Sequence, residues 1–238
     1  MNFKSAALMI STALLAVSAG AQNFPAKPVR MIVPYAPGGG VDIMGRITAT
    51  RLSERLGVQV VVENRGGGGT VIGTDAVAKA AADGYTLLFG NPALSANPAL
   101  NDKLPYDTLK HLAPVAMVAA SFNVLVVHPS LPVKSVRELV ALAKSKPGQL
   151  NYASAGDGSA IYLAMAMFQN TAGIDVVHIP YKGAGPALVD VVGGQVPMMF
   201  IASPPAVTYV NSGKLRALGV SGVKRLLVLP EEIGRAHV

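Results

Sequence analysis

Short apolar runs alternate along this chain with longer stretches in which apolar residues recur at helical spacing. Val29–Val33 and the runs at residues 59–63 and 85–89 are of the kind that a parallel sheet buries on both faces, and helical material separates each from the next. The pattern predicts a first helix over residues 42–56, with Ile43, Ile47, Leu52 and Leu56 facing inward and Gly57 ending it. An alanine-rich helix is expected over residues 74–82, stopping at Asp83-Gly84. A second set begins after residues 124–127. Ser135 followed by Glu138 forms a capping box for a helix that carries Val136, Leu139, Val140 and Ala143 inward and closes at Lys146-Pro147-Gly148. Further strands are expected at residues 150–153, 176–179 and 196–200, with helices near 159–170 and 186–192.

Such units stack through right-handed crossovers into open α/β sheets, with ligands beyond the carboxyl ends of the strands. Two sets in one chain of this length imply two small lobes of open sheets flanked by helices, with a cleft between them. A single six- or seven-stranded sheet is the alternative left open by pattern alone.

The loops at those carboxyl ends share one chemistry. The first strand runs into Pro37-Gly38-Gly39-Gly40 and then a helix, where glycine lets a ligand approach the backbone and the first-turn N–H groups lack internal partners. The second ends in Asn64-Arg65-Gly66-Gly67-Gly68-Gly69-Thr70, and the third in Gly90-Asn91-Pro92-Ala93-Leu94-Ser95. Their counterparts are Ser154-Ala155-Gly156-Asp157-Gly158-Ser159, Pro180-Tyr181-Lys182-Gly183-Ala184-Gly185 and Ala202-Ser203-Pro204-Pro205. One glycine loop serves a tight turn. Six small-residue loops at corresponding positions point to a ligand, and hydroxyls and backbone N–H groups satisfy a carboxylate.

Composition narrows the classes. Lys4, the apolar stretch at residues 6–17 and Ala19-Gly20-Ala21 form an export leader cut before Gln22, too short in its apolar core to span a membrane. The absence of cysteine excludes disulfides and lipid attachment through cysteine. A formal net charge of +7 raises the question of nucleic acid, but only 14% of residues are charged and the basic ones are scattered, with no stripe among aromatics. Neither a dinucleotide fingerprint, a phosphate-loop Gly-Lys-Ser/Thr nor a Gly-x-Ser-x-Gly elbow occurs. The histidines are too sparse for a metal cluster. His128, before a proline, reads as a surface residue, while His178 is a candidate for touching the pocket. A Ser159-His178-Asp157 arrangement can be drawn, but the spacing gives it no support.

Residues 28–42, 60–65, 83–88, 178–183 and 213–218 carry a resemblance. They include Val33-Pro34-Tyr35-Ala36-Pro37-Gly38-Gly39-Gly40 and His178-Ile179-Pro180-Tyr181-Lys182-Gly183. The chain resembles the tripartite tricarboxylate transporter substrate-binding proteins, the Bug or TctC family, over nearly everything after the leader. The resemblance implies a type II-like periplasmic binding protein fold whose lobes close on a small organic anion and deliver it to membrane permease subunits, with neither ATPase nor covalent chemistry. It implies a monomeric receptor without cofactor, metal or nucleic acid. Carried over by residue, Ala36, Pro37, Gly38, Gly39 and Gly40 match the first ligand loop, with Asp42 positioning that loop and Asn91 and Ser95 lining the same lobe. Ser154, Ala155, Gly156 and Ser159 match the second lobe's loop, Tyr181, Lys182 and Gly183 its neighbour, and Ser203 joins them from the last strand. Lys182 is equally readable as a solvated lysine.

Tyr162 and Ala166 stand where members usually carry His and Glu, which puts second-lobe specificity in question. Pro197 is unusual near the start of its strand and favours an edge position or a bulge. Members also continue for several tens of residues past Leu229-Pro230. The expected organisation is a leader at 1–21, lobe 1 at 22–125, lobe 2 at 126–218 and the start of a return to lobe 1 at 219–231. Residues 232–238 are expected to be a non-native tail, because Glu232-Ile233-Gly234-Arg235-Ala236-His237-Val238 is what a common sequencing adapter encodes. The leading expectation is a receptor for a small carboxylate or dicarboxylate. The alternative is a small-molecule enzyme, an esterase or racemase-like protein, which needs a convergent base and nucleophile.

Overall fold

The computed structural model describes residues 24–222, so the leader at 1–21 and the tail at 232–238 lie outside the described residues, as do residues 223–231 of the expected return. Two separate sheets form within them, which excludes a single continuous sheet. In the first, β1 (Val29–Val33) is central, with β2 (Val60–Asn64) and β3 (Thr86–Leu88) parallel on either side. Helix α1 (Gly40–Leu56) joins β1 to β2, and α2 (Val71–Ala78) joins β2 to β3. Helix α3 (Ala93–Leu100) follows.

Gly57 ends α1 as expected, at φ +69° and with its N–H donated to Ser53 O. The helix's buried face differs from the expectation. Ile47 is 52% exposed, and Gly45 and Ala49 are the buried positions in its middle. Leu52 and Leu56 pack inward on the cluster of Val29, Met31, Ala49 and Val60 as expected, but a Cβ on Gly45 would come within 2.9 Å of Val33 Cγ2, so the middle of this helix lays its backbone on the sheet through small residues. Helix α2 starts at Val71 rather than 74, because a 3-10 turn at Gly68–Thr70 already winds the chain. The loop expected at residues 90–95 gives way to helix from Ala93, with Asn91 Oδ1 accepting the Ala93 N–H in front of it and Pro98 accommodated inside.

The second sheet has the order β6-β5-β7-β4-β8. Its strands are β4 (Asn123–Val127), β5 (Asn151–Ser154), β6 (Val177–Pro180), β7 (Met198–Ala202) and β8 (Arg216–Val220). Between them run α4 (Val136–Ser145), α5 (Ala160–Ala172), α6 (Ala184–Val192) and α7 (Ser203–Asn211). Strand β5 is parallel to β6 and β7, whereas β4 is antiparallel to both β7 and β8. An all-parallel reading therefore fails at β4. Its run Val124 to Val127 is buried on both faces, and such a run carries no alternation to betray its direction. Pro197 sits one residue ahead of β7, a central strand, and its carbonyl accepts the His128 N–H. The expected edge or bulge is absent, since a proline before the first strand residue removes no ladder bond. Ser203-Pro204-Pro205 opens α7 instead of forming a loop, because proline is tolerated in a helix's first turn. Ser135 Oγ accepts the Glu138 N–H at 3.2 Å, while Glu138 reaches back to the Lys134 N–H, one residue before the cap.

Most buried apolar residues belong to the cluster around the second sheet, among them Leu125, Leu139, Met165, Met199 and Ile201. The first sheet has its own small cluster of Val29, Met31, Ala49 and Val60. The parallel strands of both sheets follow one order, β2-β1-β3 and β6-β5-β7, with the earliest strand central. Their six carboxyl ends meet the six small-residue segments of the sequence, of which the third and the sixth run into α3 and α7.

Candidate functional site

Glycine lets the loops of the two lobes meet backbone to backbone. Ala36 N–H donates to Lys182 O at 3.0 Å across the interface. A Cβ on Gly183 would stand 2.7 Å from Ala36 N, and one on Gly66 2.5 Å from Lys182 O. A Cβ on Gly39 would reach Ala184 Cβ at 3.0 Å, and one on Gly185 would collide with the Pro37 carbonyl.

Beside this contact lies a cleft of about 440 Å³. Lobe 1 contributes Gly67, Gly68, Gly69 and Val71 after β2, with Asn97, Leu100 and Asn101 from α3. Lobe 2 contributes Ala155, Gly156 and Asp157 after β5, with Pro180, Tyr181 and Lys182 after β6. The lobe 1 wall is built on unusual backbone: Gly67, Gly68, Gly69 and Thr70 all have positive φ. Thr70, at φ +80°, is a β-branched residue in a conformation that disfavours it, and it is buried with its Oγ1 accepting a hydrogen bond from Asn97 Nδ2. Asn97 Nδ2 also donates to Gly69 O, so α3 braces the glycine run.

Asp42 performs the positioning role read from the sequence. Its carboxylate accepts from Gly38 N–H at 3.0 Å, from Arg46 Nε and from Asn64 Nδ2. Burial pushes that carboxyl up, but Arg46, the Gly38 N–H and Asn64 together hold it below the usual carboxylate range. On the other lobe, the Tyr181 hydroxyl donates to Asp190, and burial together with that carboxylate pushes it up to about 12. His178 lies between the rings of Tyr152 and Tyr162, at 4.9 and 4.8 Å. Burial lowers its pKa, against the opposing pull of Asp157.

A serine, a histidine and an aspartate do meet here, though not the trio drawn from the sequence. His178 Nε2 lies 2.6 Å from Ser154 Oγ, and Nδ1 lies 3.4 Å from Asp157 Oδ1. Ser154 is fully buried and its Oγ also accepts the Gly156 N–H, so no substrate carbonyl can reach it. Ser159 Oγ instead caps α5 by accepting the Tyr162 N–H. The arrangement fixes the loop after β5.

Of the residues singled out in the sequence, Ala155, Gly156, Tyr181 and Lys182 line the cleft. Ala36, Pro37, Gly38, Gly39, Gly40 and Gly183 lie at the interlobe contact beside it. Asn91 accepts from Tyr35 Oη, Ser154 and Ser159 are structural, and Ser95 is exposed on α3. Ser203 opens α7 with its N–H on Phe122 O, and Tyr162 packs on His178. Asn97, Leu100, Asn101 and Asp157 also line the cleft and were not singled out. Asp157 sat within a flagged loop, and Asn97, Leu100 and Asn101 lie beyond the loop flagged at residues 90–95. Among the described residues no group of three or more His, Asp or Glu could hold a metal, and no helix is long and apolar enough to cross a membrane.

The sequence match decides the family. Residues 44–234 match the tripartite tricarboxylate transporter family receptor, TctC. The chain belongs to this family. It is 42% identical to protein BugT of Bordetella pertussis over 94% of this chain and 69% of that one. Among solved structures, the periplasmic binding protein BugD superposes with a TM-score of 0.86 at 34% identity, covering 89% of this chain and 71% of BugD. The R. palustris protein Rpa4515 with adipate gives a TM-score of 0.86 at 34% identity, covering 90% of this chain and 72% of that one. As a TctC receptor the protein is a periplasmic solute-binding protein that delivers small carboxylates to a tripartite tricarboxylate transporter, and its role is binding rather than catalysis.

Proposed function

We propose that the receptor takes a small carboxylate or dicarboxylate in the interlobe cleft, as a monomer, and passes it unchanged to the permease subunits of its own transporter. The observation that carries this reading is the convergence on one cleft of positive-φ glycines from lobe 1 with the Ala155-Gly156 and Lys182 loops of lobe 2. Backbone N–H groups and the exposed Lys182 ammonium can hold a carboxylate through charge-assisted hydrogen bonds. Adipate in the related R. palustris protein fits the same class of ligand. Parting of the lobes would release the Ala36 N–H from Lys182 O, whereas the Gly38 N–H stays with Asp42 inside lobe 1.

Calorimetry of the purified protein against succinate, malate, aspartate, citrate and adipate tests this reading, followed by analysis of the mixture for product. One-to-one binding of at least one acid, recovered unchanged, is the expected result. Gly156→Val should weaken it about tenfold or more, since Gly156 sits at φ +105° and a Cβ there would stand 3.0 Å from Tyr181 O. Absence of binding by every acid, or conversion of a bound one, overturns the proposal.

A further inference from the structure

One end of the cleft offers acceptors rather than donors. Asp157 lines it with its side chain 77% exposed. No lysine or arginine nitrogen lies within 4.0 Å of that carboxylate among the described residues, and its nearest basic atom is His178 Nδ1 at 3.4 Å. Burial between two tyrosines disfavours the charged form of His178, so its ring is a weak countercharge for Asp157.

Asn97 supplies an independent sign. It is only 4% exposed, and both hydrogens of its amide are directed into lobe 1, toward Gly69 O and Thr70 Oγ1. A carbonyl can only accept, so the amide nitrogen must face Gly69 and the orientation is fixed. Its Oδ1 therefore looks the other way, across to lobe 2, and accepts no hydrogen bond among the described residues. The position of a Gly158 Cβ is 3.0 Å from it. The point where a Gly69 Cβ would stand is 3.9 Å from Asn97 Oδ1 and 2.6 Å from the Asp157 carbonyl oxygen. The Asn97 amide oxygen and the Asp157 main-chain carbonyl thus meet at the junction of α3 with the loop after β5, and the Asp157 carboxylate lines the same cleft.

We infer that the ligand carries an ammonium group as well as a carboxylate, and that Asp157 and Asn97 Oδ1 select the ammonium. An ammonium has three hydrogens to donate and one positive charge, which matches three acceptors of which one is an anion. The carboxylate falls to the opposite side, toward Lys182 and the glycine N–H groups. Among the described residues Asp157 and Lys182 are the only charged side chains lining the cleft, so that wall is formally neutral, as a zwitterion is. A plain dicarboxylate would place one of its charges against Asp157. The inference rests on the proposed cleft being the ligand site and narrows the class of carboxylate it takes.

The test compares succinate, L-malate and L-aspartate, which share a four-carbon diacid skeleton and carry hydrogen, hydroxyl and ammonium at one carbon. Calorimetry should show aspartate at least about tenfold tighter than either of the others, one charge-assisted hydrogen bond's worth. Asp157→Asn should remove most of that advantage and improve succinate. The residue is exposed, so the variant is expected to fold, and the wild-type comparison stands without it. Equal or tighter binding of succinate or malate by the wild type overturns the ammonium assignment while leaving a carboxylate receptor intact. A preference for aspartate that survives Asp157→Asn undiminished overturns the role of Asp157. Failure of all three and of adipate sinks the cleft as a carboxylate site instead.

Discussion

Asp42 is a carboxylate held beside a loop read as an anion grip, and its surroundings explain why that is tolerable. Its charge is consumed by Arg46, Asn64 and the Gly38 N–H. Because its folded pKa lies below the unfolded value, its contribution to stability is complete above that unfolded value, about pH 4, and is lost as pH falls through the folded one. Urea melts between pH 7 and 3 should show wild-type stability falling over the acid end more steeply than that of Asp42→Asn; identical slopes would remove Asp42 from the account. Thr70 gives a second residue-level test, in which conformation and hydrogen bonding pull apart. Thr70→Ala loses the acceptor for Asn97, at about 1 kcal/mol, and keeps the unfavourable backbone. Thr70→Gly loses the same acceptor but relieves roughly 1 kcal/mol or more of backbone strain, so it should melt higher than Thr70→Ala. The reverse order would mean that φ +80° costs this site little.

At the scale of elements, α6 meets the β1–α1 loop through Gly185, where an added methyl collides with the Pro37 carbonyl. Alanine is the better helix former by up to about 1 kcal/mol, so Gly185→Ala should leave lobe 2 intact while holding the lobes apart. Small-angle scattering should record a larger radius of gyration, and calorimetry a weaker ligand. Unchanged values for both would show that this contact does not govern closure. The elements also mark where sequence reading succeeds. Strands β1, β2, β5 and β6 and the end of α1 were legible, because apolar runs and glycine stops are local signals. The middle of α1's inner face was not, since Gly45 and Ala49 gain burial from close backbone approach, which no hydrophobicity pattern displays. Helices α3 and α7 begin inside segments read as loops, residues 90–95 and 202–205, and both prolines of α7 occupy its first turn, where proline is tolerated. The direction of β4 is set by its neighbours alone. At the site, glycine loops flagged the region correctly, yet Asn97 matters through an orientation that only the fold imposes.

For the whole molecule, the two lobes differ in what holds them. The first sheet has three strands, and β2 and β3 are only partly buried, whereas β4 and β7 are buried along almost their whole length. Local opening follows such differences. Hydrogen exchange should therefore proceed faster at β2 and β3 than at β4 and β7, and equal protection would mean the lobes unfold as one unit. Between α3 and β4, residues 112–122 form neither helix nor strand, and Val115 and Met117 are more than four-fifths exposed. Limited proteolysis should cut first within this stretch; a first cut inside either sheet would contradict it. The repeated strand order β2-β1-β3 and β6-β5-β7 reaches further than stability. Each lobe presents its own triplet of loops on its own scaffold, and each triplet can change without disturbing the other's strands. A receptor of this architecture combines one triplet from each lobe, so the range of acids within its reach grows as the product of the two sets and not as their sum.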